Sequence, residues 1–173
     1  LLNQFFSPEQ NHRTDDYGGS LANRMRLAIE IVRAVKAEIS ADMLLLYRHT
    51  PVGPGYGIEE SLQLTRALVE AGVDILDLSP SSIEAPGDRA APFRVHGVPV
   101  IAVGELDEPA RALEALNAGR ADLIAIGRAL IADADWPNKV REGRLDEIVT
   151  CIRCNTCFDD LRAGQPVGCS QWD

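Results

Sequence analysis

The sequence predicts an α/β protein of parallel (β/α) units, in number half of an eight-stranded (β/α)8 barrel. Three observations carry this reading. Four short apolar runs, at 43–47, 74–78, 98–103 and 123–126, alternate with stretches of helical periodicity. Runs apolar on both faces belong to parallel sheets covered by helices. Two stretches, ALVEAGVDILDLSP and EALNAGRADLIAIGR, repeat one plan of helix end, Gly, short turn, Asp and apolar strand. An open half of such a barrel leaves two strand edges and one apolar face uncovered.

The elements follow in order. Residues 1–20 begin apolar and become a polar loop, broken at Gly18-Gly19, with Ser20 as a helix N-cap. Leu21, Met25, Ala28, Val32, Val35 and Ile39 recur at spacings of four and three and predict one helix. Arg24, Arg26, Glu30, Arg33 and Lys36 are expected on its solvated side. The run 43–47 predicts a buried strand with Arg48 at its carboxyl end, and 51–57 is a Gly/Pro-rich loop. A helix is expected over 58–71, with Glu59 and Glu60 in its first turn and Gly72 after it. After strand 74–78, residues 79–97 form a long loop with room for one short helix at 90–95.

Strand 98–103 ends at Gly104. Asp107-Glu108-Pro109 suits a helix start, Ala112, Leu113 and Leu116 give that helix an apolar side, and Gly119 suits a left-handed cap. Strand 123–126 ends at Gly127-Arg128. A short helical piece to Ala132 and a helix over 136–141 follow. Two regions are expected: a partial barrel at 1–150 and a cysteine-rich tail at 151–173.

Composition bounds the function. The 173 residues hold 46% apolar and 25% charged side chains, enough for one core. A net charge of −9 argues against nucleic acid and anionic membrane as partners. No run approaches the ~20 apolar residues of a membrane span, and no signal-peptide pattern occurs. A cytoplasmic enzyme, or part of one, is the expectation. The chain opens Leu1-Leu2-Asn3-Gln4 without methionine, which reads as a start other than the natural one.

Three places offer chemistry. Glycines ending two successive strands, Gly104 and Gly127, let backbone N–H groups approach a ligand, and Arg128 adds a cation. In a (β/α)8 barrel a phosphate sits after the last two strands; the alternative is a turn glycine and a surface charge. Arg48 ends an apolar strand, either as a cation at the top of the barrel or as a salt-bridged rim residue. Cys151, Cys154 and Cys157 are spaced two residues apart, and eleven residues separate Cys157 from Cys169. Four thiolates at this spacing suit an iron–sulfur cluster or structural zinc, against a reduced, metal-free tail. His12, His49 and His96 share no metal-ligand spacing and read as loop or rim residues.

The segment LLNQFFSPEQNHRTDDYGGSLANRMR resembles a signature of the old yellow enzyme family of FMN oxidoreductases. VPVIAVGE, GRADLIAIGRALIADADWPNKVREGRLDEI and CIRCNTC resemble its dienoyl-CoA reductase and NADH:flavin oxidoreductase branch. The resemblance implies a (β/α)8 barrel of which this chain supplies strands five to eight. It implies Arg48 at the pyrimidine side of the flavin, and Gly104, the Glu105 amide and Gly127-Arg128 at the FMN phosphate. It implies a [4Fe-4S] cluster on Cys151, Cys154, Cys157 and Cys169. The family pattern carries Gly-Gly where Gly104-Glu105 stands, and three residues where two separate Cys154 from Cys157. The family's proton-donating tyrosine and substrate-orienting residues lie before Leu1, so no catalytic residue is assigned here and no turnover is expected of this chain alone.

The expected activity of the intact enzyme is hydride transfer from NAD(P)H through FMN to an activated alkene such as an enone or enoyl thioester. The alternatives are a non-redox phosphate-binding barrel enzyme and a non-enzymatic half-barrel that self-associates. The expected partners are a small-molecule alkene and either a missing N-terminal barrel half or a second copy.

Overall fold

The computed structural model describes residues 1–79 and 89–172. Four strands, β1 (Leu46–His49), β2 (Ile75–Leu78), β3 (Val100–Val103) and β4 (Leu123–Ala125), form one parallel sheet in the order β1-β2-β3-β4. Between them lie α3 (Ile58–Ala71), a 3-10 helix (Ala91–His96) and α4 (Pro109–Asn117). Before β1 come α1 (Leu2–Phe6) and α2 (Leu21–Glu38); after β4 come α5 (Arg128–Ala132), α6 (Trp136–Glu142), a 3-10 turn (Leu145–Glu147) and α7 (Thr156–Arg162). The short helix expected at 90–95 is the 3-10 helix; residues 80–88 of the loop expected at 79–97 lie outside the described residues.

The helix ends obey local chemistry. Ser20 Oγ accepts from the Asn23 N–H at 3.3 Å and caps α2. Gly72 ends α3 at φ 117°, a left-handed cap that an L side chain adopts only under strain. The internal repeat has a structural basis. Asp74 Oδ2 accepts the Leu45 N–H at 2.7 Å, and Asp122 Oδ2 accepts the Val100 N–H at 2.9 Å. Each Asp thus ties the start of its strand to the start of the strand before it, and each is paired with a cation, Lys36 or Arg94. Both carboxyls are held below the usual range, Asp74 first by the Leu45 N–H and Asp122 first by Arg94.

The two faces of the sheet differ sharply. One carries Tyr47 and His49, Leu76 and Leu78, Val100 and Ala102, all buried. These pack with Ala28 and Val32 of α2, Leu64 and Leu68 of α3, and Phe93 of the 3-10 helix. On the other face Arg48 lies level with Asp77, Asp77 with Ile101, and Ile101 with Leu123. Leu46 and Leu123 are 47% and 48% exposed, so this face is open among the described residues.

Four expectations change. The strand expected at 43–47 lies at Leu46–His49, and Met43 and Leu44 are exposed. The first strand is an edge covered on one side, so a run of leucines there is not a buried run. In α4 the buried side chains are Ala112 and Ala115, while Leu113 and Leu116 are 57% and 38% exposed. Arg24 is buried in α2: its guanidinium donates to the Phe6 and Gly19 carbonyls and pairs with Glu60 at 2.8 Å. A buried guanidinium is tolerated when its donors are matched in this way. His49 is a core residue, 3% exposed, with Nε2 2.8 Å from Ser61 Oγ.

Candidate functional site at the carboxyl ends of the strands

In a parallel sheet every strand delivers its carboxyl end to the same edge, so the exits of β1, β2, β3 and β4 lie along one side. At β1 the side chain of Arg48 points to the open face, 58% exposed. It donates from Nη1 to Asp77 Oδ2 and from Nη2 to Ser79 Oγ, each at 3.0 Å. Two anchors from β2 and its exit fix the guanidinium in one orientation. The other carboxylate oxygen, Asp77 Oδ1, is buried without a partner among the described residues.

The exits of β3 and β4 lie side by side, because Val103 is level with Ala125. Gly104 has φ 107° and Glu105 φ 53°, so the chain turns with two successive left-handed residues. Successive N–H groups in such a turn tend to converge on one anion. A Cβ at Gly127 would meet nothing within 4 Å, which leaves open space above β4. Arg128 follows at once. The two turns and the arginine outline a cradle that could hold a phosphate such as that of FMN.

The cysteine segment lies against this cradle, a feature that spacing alone did not reveal. Arg128 Nη1 donates to Asn155 Oδ1 at 2.6 Å, and its guanidinium carbon lies 5.9 Å from the centre of the Phe158 ring. Arg153 donates to Glu105 Oε1 at 3.1 Å and to Asp107 Oδ1 at 3.0 Å. The Asp107 carbonyl also accepts from Trp136 Nε1 at 3.1 Å. The one available sequence signal was Asn155, since asparagine tolerates the left-handed conformation better than most residues.

The thiols are arranged differently from the expected cluster. Cys154 is exposed, with Sγ 3.3 Å from Thr156 Oγ1 and 3.1 Å from Ser170 Oγ. These hydroxyls, Ser170 first, pull its thiol down to about 7. Cys157 lies on α7 and Cys169 Sγ accepts from the Gln171 N–H. The segment of the fourth cysteine does fold back to the first three. Yet among the described residues no three Cys, His, Asp or Glu side chains are gathered to hold a metal. As arranged, the tail does not fit a four-thiolate cluster.

The chain and its fold have counterparts among known proteins. The profile of the NADH:flavin oxidoreductase / NADH oxidase family matches residues 1–147. The chain is 39% identical to the NADH oxidase of Thermoanaerobacter brockii over 90% of its own length and 27% of the relative's. It is 30% identical to the cinnamate reductase of Clostridium sporogenes, over 98% of this chain and 30% of that one. Among solved structures, a 2-naphthoyl-CoA reductase in complex with 2-naphthoyl-CoA superposes with a TM-score of 0.86 at 31% identity, over 99% of this chain and 29% of that one. Morphinone reductase in complex with tetrahydroNAD gives 0.72 at 31% identity, over 83% of this chain and 40% of that one. The 173 residues therefore span less than a third of the two named relatives. With a matching profile over most of its length and four parallel (β/α) units that superpose on part of such barrels, this chain belongs to the NADH:flavin oxidoreductase / NADH oxidase family.

Proposed function

We propose that residues 1–173 supply the cofactor-phosphate side of an FMN-dependent barrel enzyme that carries hydride from NAD(P)H to an activated alkene. The observation that carries this reading is the pair of adjacent strand exits, Gly104-Glu105 and Gly127-Arg128, with space above Gly127 and a cation beside it. FMN bound there would supply the hydride chemistry. The chain's own part is binding and polarisation. The amides at 104–105 and the Arg128 guanidinium would hold the phosphate dianion. Arg48, fixed by Asp77 and Ser79, presents a cation at the open face where the electron-rich edge of the flavin would lie.

The substrate class follows from relatives rather than from a pocket. The cinnamate and 2-naphthoyl-CoA reductases carry names that point to conjugated acyl compounds. An enone or enoyl thioester is the corresponding substrate here. The open face, with Leu46 and Leu123 exposed, is the surface that the rest of a barrel wall would cover. Residues 1–173 alone are not expected to turn over, because a substrate on that face would lie in water.

The test is flavin analysis of the whole polypeptide that contains this chain. Flavin absorbance, with the released cofactor identified as FMN, is the expected result. A charge-assisted hydrogen bond is worth roughly 1.5–3 kcal/mol, so Arg128→Ala should weaken FMN about ten- to hundred-fold. Binding of a sugar phosphate by a protein that takes up no flavin would support the non-redox alternative instead.

A further inference from the structure

Among the described residues, three non-glycine residues have positive φ: Glu105 at 53°, Arg153 at 58° and Asn155 at 66°. All three meet in one place. The side chain of Arg153 binds that of Glu105 at 3.1 Å, and the side chain of Asn155 binds Arg128 at 2.6 Å. Strained backbone of this kind persists where surrounding contacts over-determine it. Here the contacts join the segment 153–158 to both strand exits at once. Arg153 bridges Glu105 and Asp107 across the β3 exit, while Asn155 and Phe158 hold the arginine of the β4 exit.

We propose that the segment 153–158 is a clamp that sets the phosphate cradle, with Arg153 and Asn155 as positioning residues. This rests on the reading of the cradle as the FMN phosphate site. A free arginine samples many rotamers, and ordering it on the ligand costs free energy at the moment of binding. Asn155 accepts one of the five N–H donors of Arg128, and the Phe158 ring lies against the same guanidinium, so Arg128 is ordered before the ligand arrives. Arg153 does the same for the turn at 104–105: bound to Glu105 and Asp107, it holds the Glu105 amide in the left-handed turn. Neither Arg153 nor Asn155 need touch the phosphate. The tail is thus coupled to the cofactor site through its side chains, whatever the state of its thiols.

The coupling predicts an effect on phosphate recognition alone. FMN and riboflavin differ only in the phosphate, so their affinities for the flavin-free whole protein, read by fluorescence quenching, separate this role from general damage. Asn155→Ala and Arg153→Ala should each lower the preference for FMN over riboflavin about ten-fold, the worth of one hydrogen bond. Riboflavin affinity should stay within about two-fold. Arg153→Lys, which keeps the charge but cannot bridge two carboxylates in one plane, should lose less than Arg153→Ala and provides a reading if the alanine variant is unstable. Because Asn155 acts through Arg128, Asn155→Ala should add little to Arg128→Ala.

Asn155→Ala and Arg153→Ala variants that keep the full preference, while Arg128→Ala loses it, would overturn the clamp and leave the phosphate site standing. Equal loss of FMN and riboflavin would also overturn it, as would full additivity with Arg128→Ala. Unchanged preference in Arg128→Ala would instead overturn the phosphate site.

Discussion

His49 is the residue whose environment departs furthest from its sequence neighbourhood. It sits between Phe6, Tyr56 and Phe93, with ring centres 5.6, 6.1 and 6.5 Å away. Ser61 Oγ donates to the Pro51 carbonyl at 2.7 Å, so the hydroxyl oxygen is left to accept from His49 Nε2–H. This assigns the neutral Nε2–H tautomer. Burial pushes the imidazole down from 6.5 to about 4. Below pH 6.5 the unfolded chain therefore binds a proton that the folded chain refuses, and stability falls as pH drops from 6.5 toward 4. The loss reaches roughly 3 kcal/mol and levels off below the folded value. His96, also shifted down by burial and by Arg66, adds to the slope with the same sign. Urea midpoints of the whole protein between pH 7 and 4 should show the decline, and His49→Gln should flatten it. An unchanged slope in that variant would reject the assignment. A histidine following a tyrosine and an arginine gave no warning of this: the alternation that buries it became visible only once one face of β1 was seen to be covered.

At the scale of elements, helices were legible and strand exposure was not. The α2 stripe, its Ser20 cap, and α3 with its terminal Gly72 all follow from spacing and local chemistry. Apolar runs located the strands to within a few residues, yet Met43, Leu44 and Leu46 are exposed because none of the described residues covers that side of the first strand. The left-handed caps allow a sharper test. Alanine at Gly72, φ 117°, would place a Cβ 2.8 Å from Lys36 Cγ, on the side chain that pairs with Asp74. Gly119, φ 67°, has nothing within 4 Å of that position. Gly119→Ala should cost about 1 kcal/mol, the backbone penalty alone. Gly72→Ala should cost roughly 2 kcal/mol, because Lys36 must also move. Equal urea midpoints for the two variants would show that the Lys36 contact contributes nothing.

For the molecule as a whole, the sequence carried the architecture and the cradle glycines, but not the contacts that bring the tail to them. Glycines at two strand ends and an arginine after the second are local signals. Arg153 to Glu105 and Asn155 to Arg128 join residues 48 and 27 positions apart, and no periodicity links such pairs. The segment that carries the regularly spaced cysteines meets the strand exits through its other residues, Arg153 and Asn155. The position of the phosphate in a crystal structure of the whole protein with FMN tests the cradle most directly. Phosphate oxygens are expected within hydrogen-bond distance of the 104–105 amides and the Arg128 guanidinium, with Arg48 facing the flavin ring. A phosphate bound elsewhere, out of reach of both the 104–105 amides and Arg128, would contradict this assignment.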